Sequence, residues 1–301
     1  MGLVPGGRAT SGMIVCARCM IEVVGPASPC LGDFRLFARS LAAGATIVAL
    51  GAGCVITPPR EPSRGDVLDR LLPSAVQIVL EHPEGRRFRT GSGVVIVSRP
   101  KGRRSECFVL TSGHTVAGAI GRKAIYLLFG RQRGAGTKES GSVVAHRESA
   151  DLDVALLRAE SDQCVPARPA APTRLGDPIW VVAFPWGRNM LLARGIVSQV
   201  NGDGAADSET ASRLMVDASV SYGASGGGVY DAREGGLIGL VEGYRTARVT
   251  SQGNEPPWYI DVPMPGQTLV TPLSDIRRFL AETGHAELIP AMQDSAGRAA
   301  R

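Results

Sequence analysis

Several things are scarce in this chain of 301 residues, and each scarcity excludes something. Only 5% of residues are aromatic, and no basic stripe interleaved with aromatics appears, so a nucleic-acid-binding surface is not expected. The longest apolar run, Leu41–Ile56, is about fifteen residues and falls short of the roughly 20 that a spanning helix needs. There are six cysteines, but Cys16-Ala-Arg-Cys19 has no second pair or nearby histidine to complete a zinc site, so no metal or other cofactor is expected. Long helical patterns are also rare. The abundance lies elsewhere: 38 glycines and 20 prolines in a chain that is 44% apolar favour many short strands joined by turns.

Residues 1–33 have no sustained apolar periodicity and read as unstructured, or as lying upstream of the true start of the product. Residues 34–56 carry a basic flank (Arg35, Arg39), an apolar run and small residues at its end, the plan of a secretory signal. Leu50-Gly-Ala-Gly-Cys54 resembles the lipobox of bacterial lipoproteins, which makes Cys54 a candidate for lipidation and a membrane tether; a plain signal cut near the same glycines is the alternative. Residues 57–66 are a polar, proline-rich linker. The folded domain spans 67–282, and residues 284–301 read as a flexible tail.

Within the domain, Val67–Leu72 suggests a short helix, followed by β-rich runs at 75–80, 91–97, 107–111, 124–129, 143–145 and 154–157. A second series runs through 179–184, 195–200, 214–217, 227–230 and 237–241. Two consecutive sets of about six strands suggest an all-β architecture of two barrels side by side, one over about 70–168 and the other over about 169–270. A helix at 272–283 follows, capped by Thr271, with Pro272 in its first turn, an apolar stripe of Leu273, Ile276, Phe279 and Leu280, and Gly284 as its stop. The Arg-rich stretches Arg86–Arg89 and Lys101–Arg104 read as solvated loop tips. Cys107 and Cys164, the cysteines inside the domain, are compatible with a disulfide or with two buried thiols.

The stretch Gly223-Ala-Ser225-Gly-Gly frames a serine with glycines. Glycines permit unusual backbone angles and let a carbonyl approach the main chain closely. A serine nucleophile needs a histidine base and an acid to orient it. Of the four histidines, His82 falls in a charged hairpin tip, His146 in a polar turn and His285 in the tail; His114 follows an apolar strand, in Thr111-Ser-Gly-His-Thr-Val116. Asp153 opens the run Asp153-Val-Ala-Leu-Leu157, with Asp151 as its competitor.

These three motifs, in this order and in β context, resemble those of the trypsin-like serine peptidases. The nearest branch in pattern is the bacterial HtrA/Deg group, on the further likeness of Gly91-Ser-Gly93, Phe184-Pro-Trp-Gly187, Gly195-Ile-Val-Ser198 and Asp217-Ala218. The resemblance covers about residues 70–282. It implies two six-stranded antiparallel barrels of chymotrypsin type, and a serine endopeptidase of the bacterial envelope or exterior acting on protein or peptide substrates. Ser225 would be the nucleophile, His114 the general base, Asp153 its orienting acid, and the N–H groups of Gly223 and Ser225 the oxyanion hole. Ser219 would floor the primary pocket and Tyr244 would narrow one wall, favouring small or medium apolar side chains. Ala224 stands where digestive members carry an aspartate, and no PDZ-like domain is expected after the helix. Two other readings compete: a catalytically silent or gated peptide binder on the same fold, and an α/β-hydrolase using Asp261 or Asp275 with His285.

Overall fold

The computed structural model describes residues 14–16, 19–21, 61–119, 124–200, 214–251 and 258–289. Cys54 and the signal-like segment lie outside the described residues. Near the N-terminus β1 (Ile14–Cys16) pairs antiparallel with β2 (Cys19–Ile21), within the stretch expected to lack structure, and these strands belong to a different unit from residues 62–292.

The larger unit opens with α1 (Arg64–Leu71). Ser63 caps it through a reciprocal pair of hydrogen bonds with Asp66, and Val67 and Leu71 are buried. Six strands then close the first barrel: β3 (Ala75–Glu81), β4 (Arg87–Lys101), β5 (Arg104–Thr111), β6 (Ala124–Phe129), β7 (Thr137–Glu148) and β8 (Asp153–Ser161), in the spatial order β3-β4-β5-β8-β7-β6. The second barrel takes β9 (Pro178–Ala183), β10 (Leu191–Val200), β11 (Leu214–Val216), β12 (Gly228–Asp231), β13 (Leu237–Thr250) and β14 (Tyr259–Pro272), in the order β10-β11-β14-β13-β12-β9. All pairings in both barrels are antiparallel. The chain is thus all-β in two six-stranded barrels, and the α/β-hydrolase reading fails because Ser225 leads into β12 and not into a helix.

Three cores follow from strand alternation. Val76, Ile78, Leu80 and Leu127 fill the first barrel, and Val181, Val216, Val229 and Val270 fill the second. The third core lies between the barrels and holds Phe108, Trp180, Phe184 and Tyr230. Strand β9 explains the arrangement: Ile179, Val181 and Ala183 point into their own barrel, while Trp180, Val182 and Phe184 point at the other. A strand buried on both faces reads as an unbroken apolar run, as 179–184 does. Each such side chain contributes about 1.5–3 kcal/mol on full burial.

Helix α3 (Leu273–Glu282) lays Leu273, Ile276, Phe279 and Leu280 on the inter-barrel core. Its start differs from expectation: Pro272 occupies the N-cap without a side-chain cap, and Thr271 still belongs to β14. Gly284 ends the helix in the left-handed region at φ 79°, as expected of glycine there. Part of the expected tail is ordered, and residues 290–301 lie outside the described residues. Ala286–Leu288 form a 3-10 turn, and Leu288 and Ile289 are buried against the inter-barrel core. Strand β14, absent from the sequence expectation, contains Pro263 and Pro265, which break the strand signal. Cys107 and Cys164 are joined in a disulfide with Cα atoms 5.8 Å apart.

Candidate active site

His114, Asp153 and Ser225 converge where the barrels meet, and almost every letter of two short motifs has a physical task. In Thr111-Ser-Gly-His114, the Thr111 hydroxyl donates to the Ser92 carbonyl at 2.7 Å and the Ser112 hydroxyl to the Val241 carbonyl at 3.1 Å. Gly113 opens the short helix α2 (Gly113–Val116), where a Cβ would stand 2.8 Å from Asp153 Oδ1 and collide with the Arg147 carbonyl. Its missing side chain admits the Asp153 carboxylate. That carboxylate then takes two hydrogen bonds from one residue: the His114 backbone N–H donates to Oδ1 at 2.7 Å, and His114 Nδ1 lies 2.5 Å from Oδ2.

Asp153 is nearly buried, whereas the His114 ring is 39% exposed. The hydrogen bond to Asp153 raises the His114 pKa above its ordinary 6.5, burial and the Arg89 guanidinium work against that shift, and Glu148 adds to it. Arg89 NH1 also donates to the His114 carbonyl. Arg87 and Arg89 therefore are not solvated loop tips: both lie in β4, and Arg87 reaches the Gly187 carbonyl at 3.3 Å. Asp151 is exposed and bonded to Ser149 in a turn, so the structure brings Asp153, and not Asp151, to His114. His146 lies within β7 opposite Ala155, not in a turn, and it takes no part in the cleft.

The Ser225 turn belongs to the second barrel and is clamped by the first. Ser92, from Gly91-Ser-Gly93 on β4, is buried; its hydroxyl donates to the Gly223 carbonyl at 2.9 Å and accepts from the Phe184 N–H at 2.8 Å. Its own N–H donates to the Ser225 carbonyl at 2.9 Å. Gly223 (φ 89°) and Gly226 (φ 81°) take left-handed conformations, and at Gly226 any Cβ would strike the Ser92 carbonyl. The Ala224 N–H is used within the turn, donating to the Ser221 carbonyl at 3.0 Å. Among the described residues, the N–H groups of Gly223 and Ser225 have no protein acceptor. Ser225 Oγ donates to the Glu242 carbonyl at 3.1 Å, without a hydrogen bond to His114.

A loop that the sequence reading used only as a family likeness supports this turn. Trp186, in the 3-10 turn Pro185–Gly187, is the one non-glycine residue with positive φ (57°) among the described residues. Its N–H donates to the Tyr222 carbonyl at 2.8 Å, and its ring lies against that of Tyr222 with centroids 5.2 Å apart. Because a trans peptide points its N–H opposite to its carbonyl, this bond turns the Gly223 N–H away from Trp186. The loop is tied to the first barrel by buried Gln77, whose Nε2 donates to the Gly187 carbonyl at 2.8 Å.

His114, Gly223, Ser225 and Tyr244 all line one cleft of about 410 Å³. Ser219 does not: it is exposed, and the adjacent Val220 and Ser221 face the cleft in its place. Arg89, Glu148, Tyr222 and Glu242 also line it, none of them singled out from the sequence. Among the described residues no cluster of metal-ligating side chains occurs, and no helix is long and apolar enough to cross a membrane.

Comparison with known proteins agrees with this geometry. Residues 91–240 match the model of the trypsin-like peptidase domain. The magnetosome formation protease MamE of Magnetospirillum gryphiswaldense is 28% identical over 167 residues, which cover 54% of this chain and 19% of that protein, so the chain spans about a fifth of that relative's length. The crystal structure of the serine endoprotease from Yersinia pestis shares the fold, with a TM-score of 0.53 and 17% identity over 74% of this chain and 66% of that one. With two closed barrels and the matched stretch spanning the serine turn and the histidine motif, the chain carries a trypsin-like peptidase domain.

Proposed function

We propose that the protein is a serine endopeptidase in which Ser225 is the nucleophile, His114 the general base and acid, and Asp153 the residue that orients His114. The observation that carries this reading is the double grip of Asp153 on His114, beside a glycine-framed serine in the same cleft. A carboxylate on Nδ1 fixes the tautomer that leaves Nε2 free to accept a proton, and it stabilises the imidazolium that results. As Ser225 Oγ attacks the substrate carbonyl, its proton passes to His114 Nε2. The new oxyanion takes hydrogen bonds from the Gly223 and Ser225 N–H groups, which are otherwise unengaged. His114 then gives its proton to the leaving amine, and water hydrolyses the acyl-enzyme by the same exchange in reverse. In the resting site the Ser225 hydroxyl is engaged with the Glu242 carbonyl, and catalytic hydrogen bonds of this kind commonly form only when substrate binds.

Val220, Val241 and Tyr244 along the cleft favour small or medium apolar side chains before the cut bond. The disulfide between Cys107 and Cys164 supports an oxidising location, in the cell envelope or outside the cell. The signal-like segment before the domain agrees with that location, and lipidation of Cys54 would add a tether.

A gated or silent peptide binder is the second reading, favoured by the resting Ser225 hydroxyl being engaged with Glu242. Labelling with a fluorophosphonate probe separates the two. Wild type is expected to label, and Ser225→Ala and His114→Ala are expected not to; a folded wild type that stays unlabelled overturns the peptidase reading.

A further inference from the structure

Beyond the cleft, β13 and β14 leave the barrel together as a two-stranded ribbon, paired from Thr246↔Pro263 to Thr250↔Tyr259. Side chains alternate across a strand, so the register sorts the ribbon into two faces. One carries Ala247, Val249, Trp258, Ile260, Val262 and Met264, all apolar. The other carries Thr246, Thr250, Tyr259 and Pro263 with the bidentate pair Arg248–Asp261 at 2.8 and 3.1 Å, and the Arg248 guanidinium lies over the Tyr259 ring. The apolar face is open to solvent, with Val249 47%, Trp258 53% and Ile260 54% exposed. A contiguous apolar face on so thin an element marks an interaction surface.

The strand that bears this face is the strand that lines the cleft. Val241, Glu242, Gly243 and Tyr244 of β13 border it, and the ribbon begins two residues later. One edge of β13 is covered by β12 as far as Leu240, and the Val241 N–H still donates to the Gly227 carbonyl. From Gly243 to Thr250 no described strand pairs with that edge, while β14 takes the opposite one. A bare edge is a template for an added strand. At about 3.3 Å per residue, Ala247 and Val249 stand roughly 10 and 16 Å beyond Tyr244.

We infer that the ribbon is an extended subsite: it holds an apolar, extended segment of the polypeptide substrate, roughly six to eight residues upstream of the cut bond, laid antiparallel on the bare edge of β13. This rests on the peptidase reading above and names the substrate class, a chain already unfolded enough to lie flat for that length. Continuity with the cleft decides for substrate. A second copy of the chain is disfavoured because six side chains fall well short of the roughly 20–30 residues a side that a stable interface uses.

The test uses the full chain and unfolded, reduced α-lactalbumin. Its cut sites are read by mass spectrometry, and one site is remade as two peptides that keep four or ten residues upstream of the bond, the longer with apolar residues six and eight positions upstream. Wild type is expected to cut the long peptide with kcat/KM about tenfold higher, mainly through KM. Val249→Thr with Ile260→Thr keeps β-branched residues in the ladder and is expected to abolish that preference while cutting the short peptide as wild type does. Equal rates on both peptides in wild type, or an undiminished preference in the double variant, overturn the inference. So does a double variant that keeps the preference but loses a dimeric mass in sedimentation or loses binding to anionic vesicles, which would assign the face to a second copy or to a membrane. A wild type that cuts short peptides and labels at Ser225 but ignores length sinks only the subsite; one that neither cuts nor labels sinks the peptidase reading and the subsite with it.

Discussion

The backbone N–H of Trp186 donates to the carbonyl of Tyr222 at 2.8 Å, and this bond fixes which way the Tyr222–Gly223 peptide, and with it the Gly223 N–H, faces. Gly223 itself has φ 89°, and a Cβ there would stand 2.8 Å from the Trp186 nitrogen. Gly223→Ala is therefore expected to displace the turn and to lower the fluorophosphonate labelling rate by about 10²–10³-fold, the scale of losing one oxyanion donor. Trp186→Gly removes the exposed ring but keeps the N–H and suits the positive φ, so labelling within a few-fold of wild type is expected. Equal labelling of wild type and Gly223→Ala would remove this turn from the chemistry.

His114 sets the pH dependence. Its pKa lies above 6.5, first because of the hydrogen bond to Asp153, with Arg89 opposing and Glu148 assisting. As a base it works only when neutral, so kcat/KM is expected to climb as pH rises through that raised value. Stability runs the other way. The protonated histidine paired with Asp153 stabilises the fold fully below pH 6.5, and that contribution is lost as pH rises through the folded value. Arg89→Gln removes the opposing charge and is expected to move the acid limb of the pH–rate profile to higher pH. A limb that stays put would mean the guanidinium does not act on the ring.

The barrels are joined through a buried hydroxyl pair that takes no part in the cleft. Ser74 Oγ donates to the Leu71 carbonyl at 2.7 Å and lies 2.8 Å from the Tyr230 hydroxyl, which therefore donates to it. Tyr230 is fully buried, and burial pushes its pKa far above the ordinary value. Tyr230→Phe is expected to cost about 1 kcal/mol in urea unfolding and to leave peptide cleavage unchanged. A larger loss of cleavage than of stability would show the inter-barrel contact reaching the cleft.

The two-barrel fold and the cluster of His114, Asp153 and Ser225 were legible because their signals are local. A barrel strand buried on both faces, such as 179–184, is an unbroken apolar run, and the glycines around Ser225 are demanded by left-handed angles and close contacts within the turn itself. What sequence missed depends on pairing between distant segments. Arg89 reads as one more surface arginine until β4 carries it to the His114 carbonyl. Ser219 sits at the right count before Ser225, yet in the irregular stretch after β11 it is Val220 that faces the cleft. Pro263 and Pro265 hid β14, whose strand character comes from pairing with β13. Leu288 and Ile289 look like tail residues until α3 delivers them to the inter-barrel core.

The disulfide gives a last expectation, because Cys107 and Cys164 are 57 residues apart and enclose β6, β7 and β8, all of the first barrel's strands after β5. Closing a loop of that length restricts the unfolded chain, a stabilisation of about 2–4 kcal/mol. The loop includes both His114 and Asp153, while Ser225 lies outside it. Reduction should therefore lower the urea midpoint of the wild type substantially and leave Cys107→Ser with Cys164→Ser indifferent to reductant. Below the midpoint, labelling at Ser225 should persist in both, since neither cysteine touches the cleft. If labelling vanished on reduction while the barrel stayed folded by circular dichroism, the bridge would govern the placing of His114 and Asp153, and its role would extend from stability to control of the site.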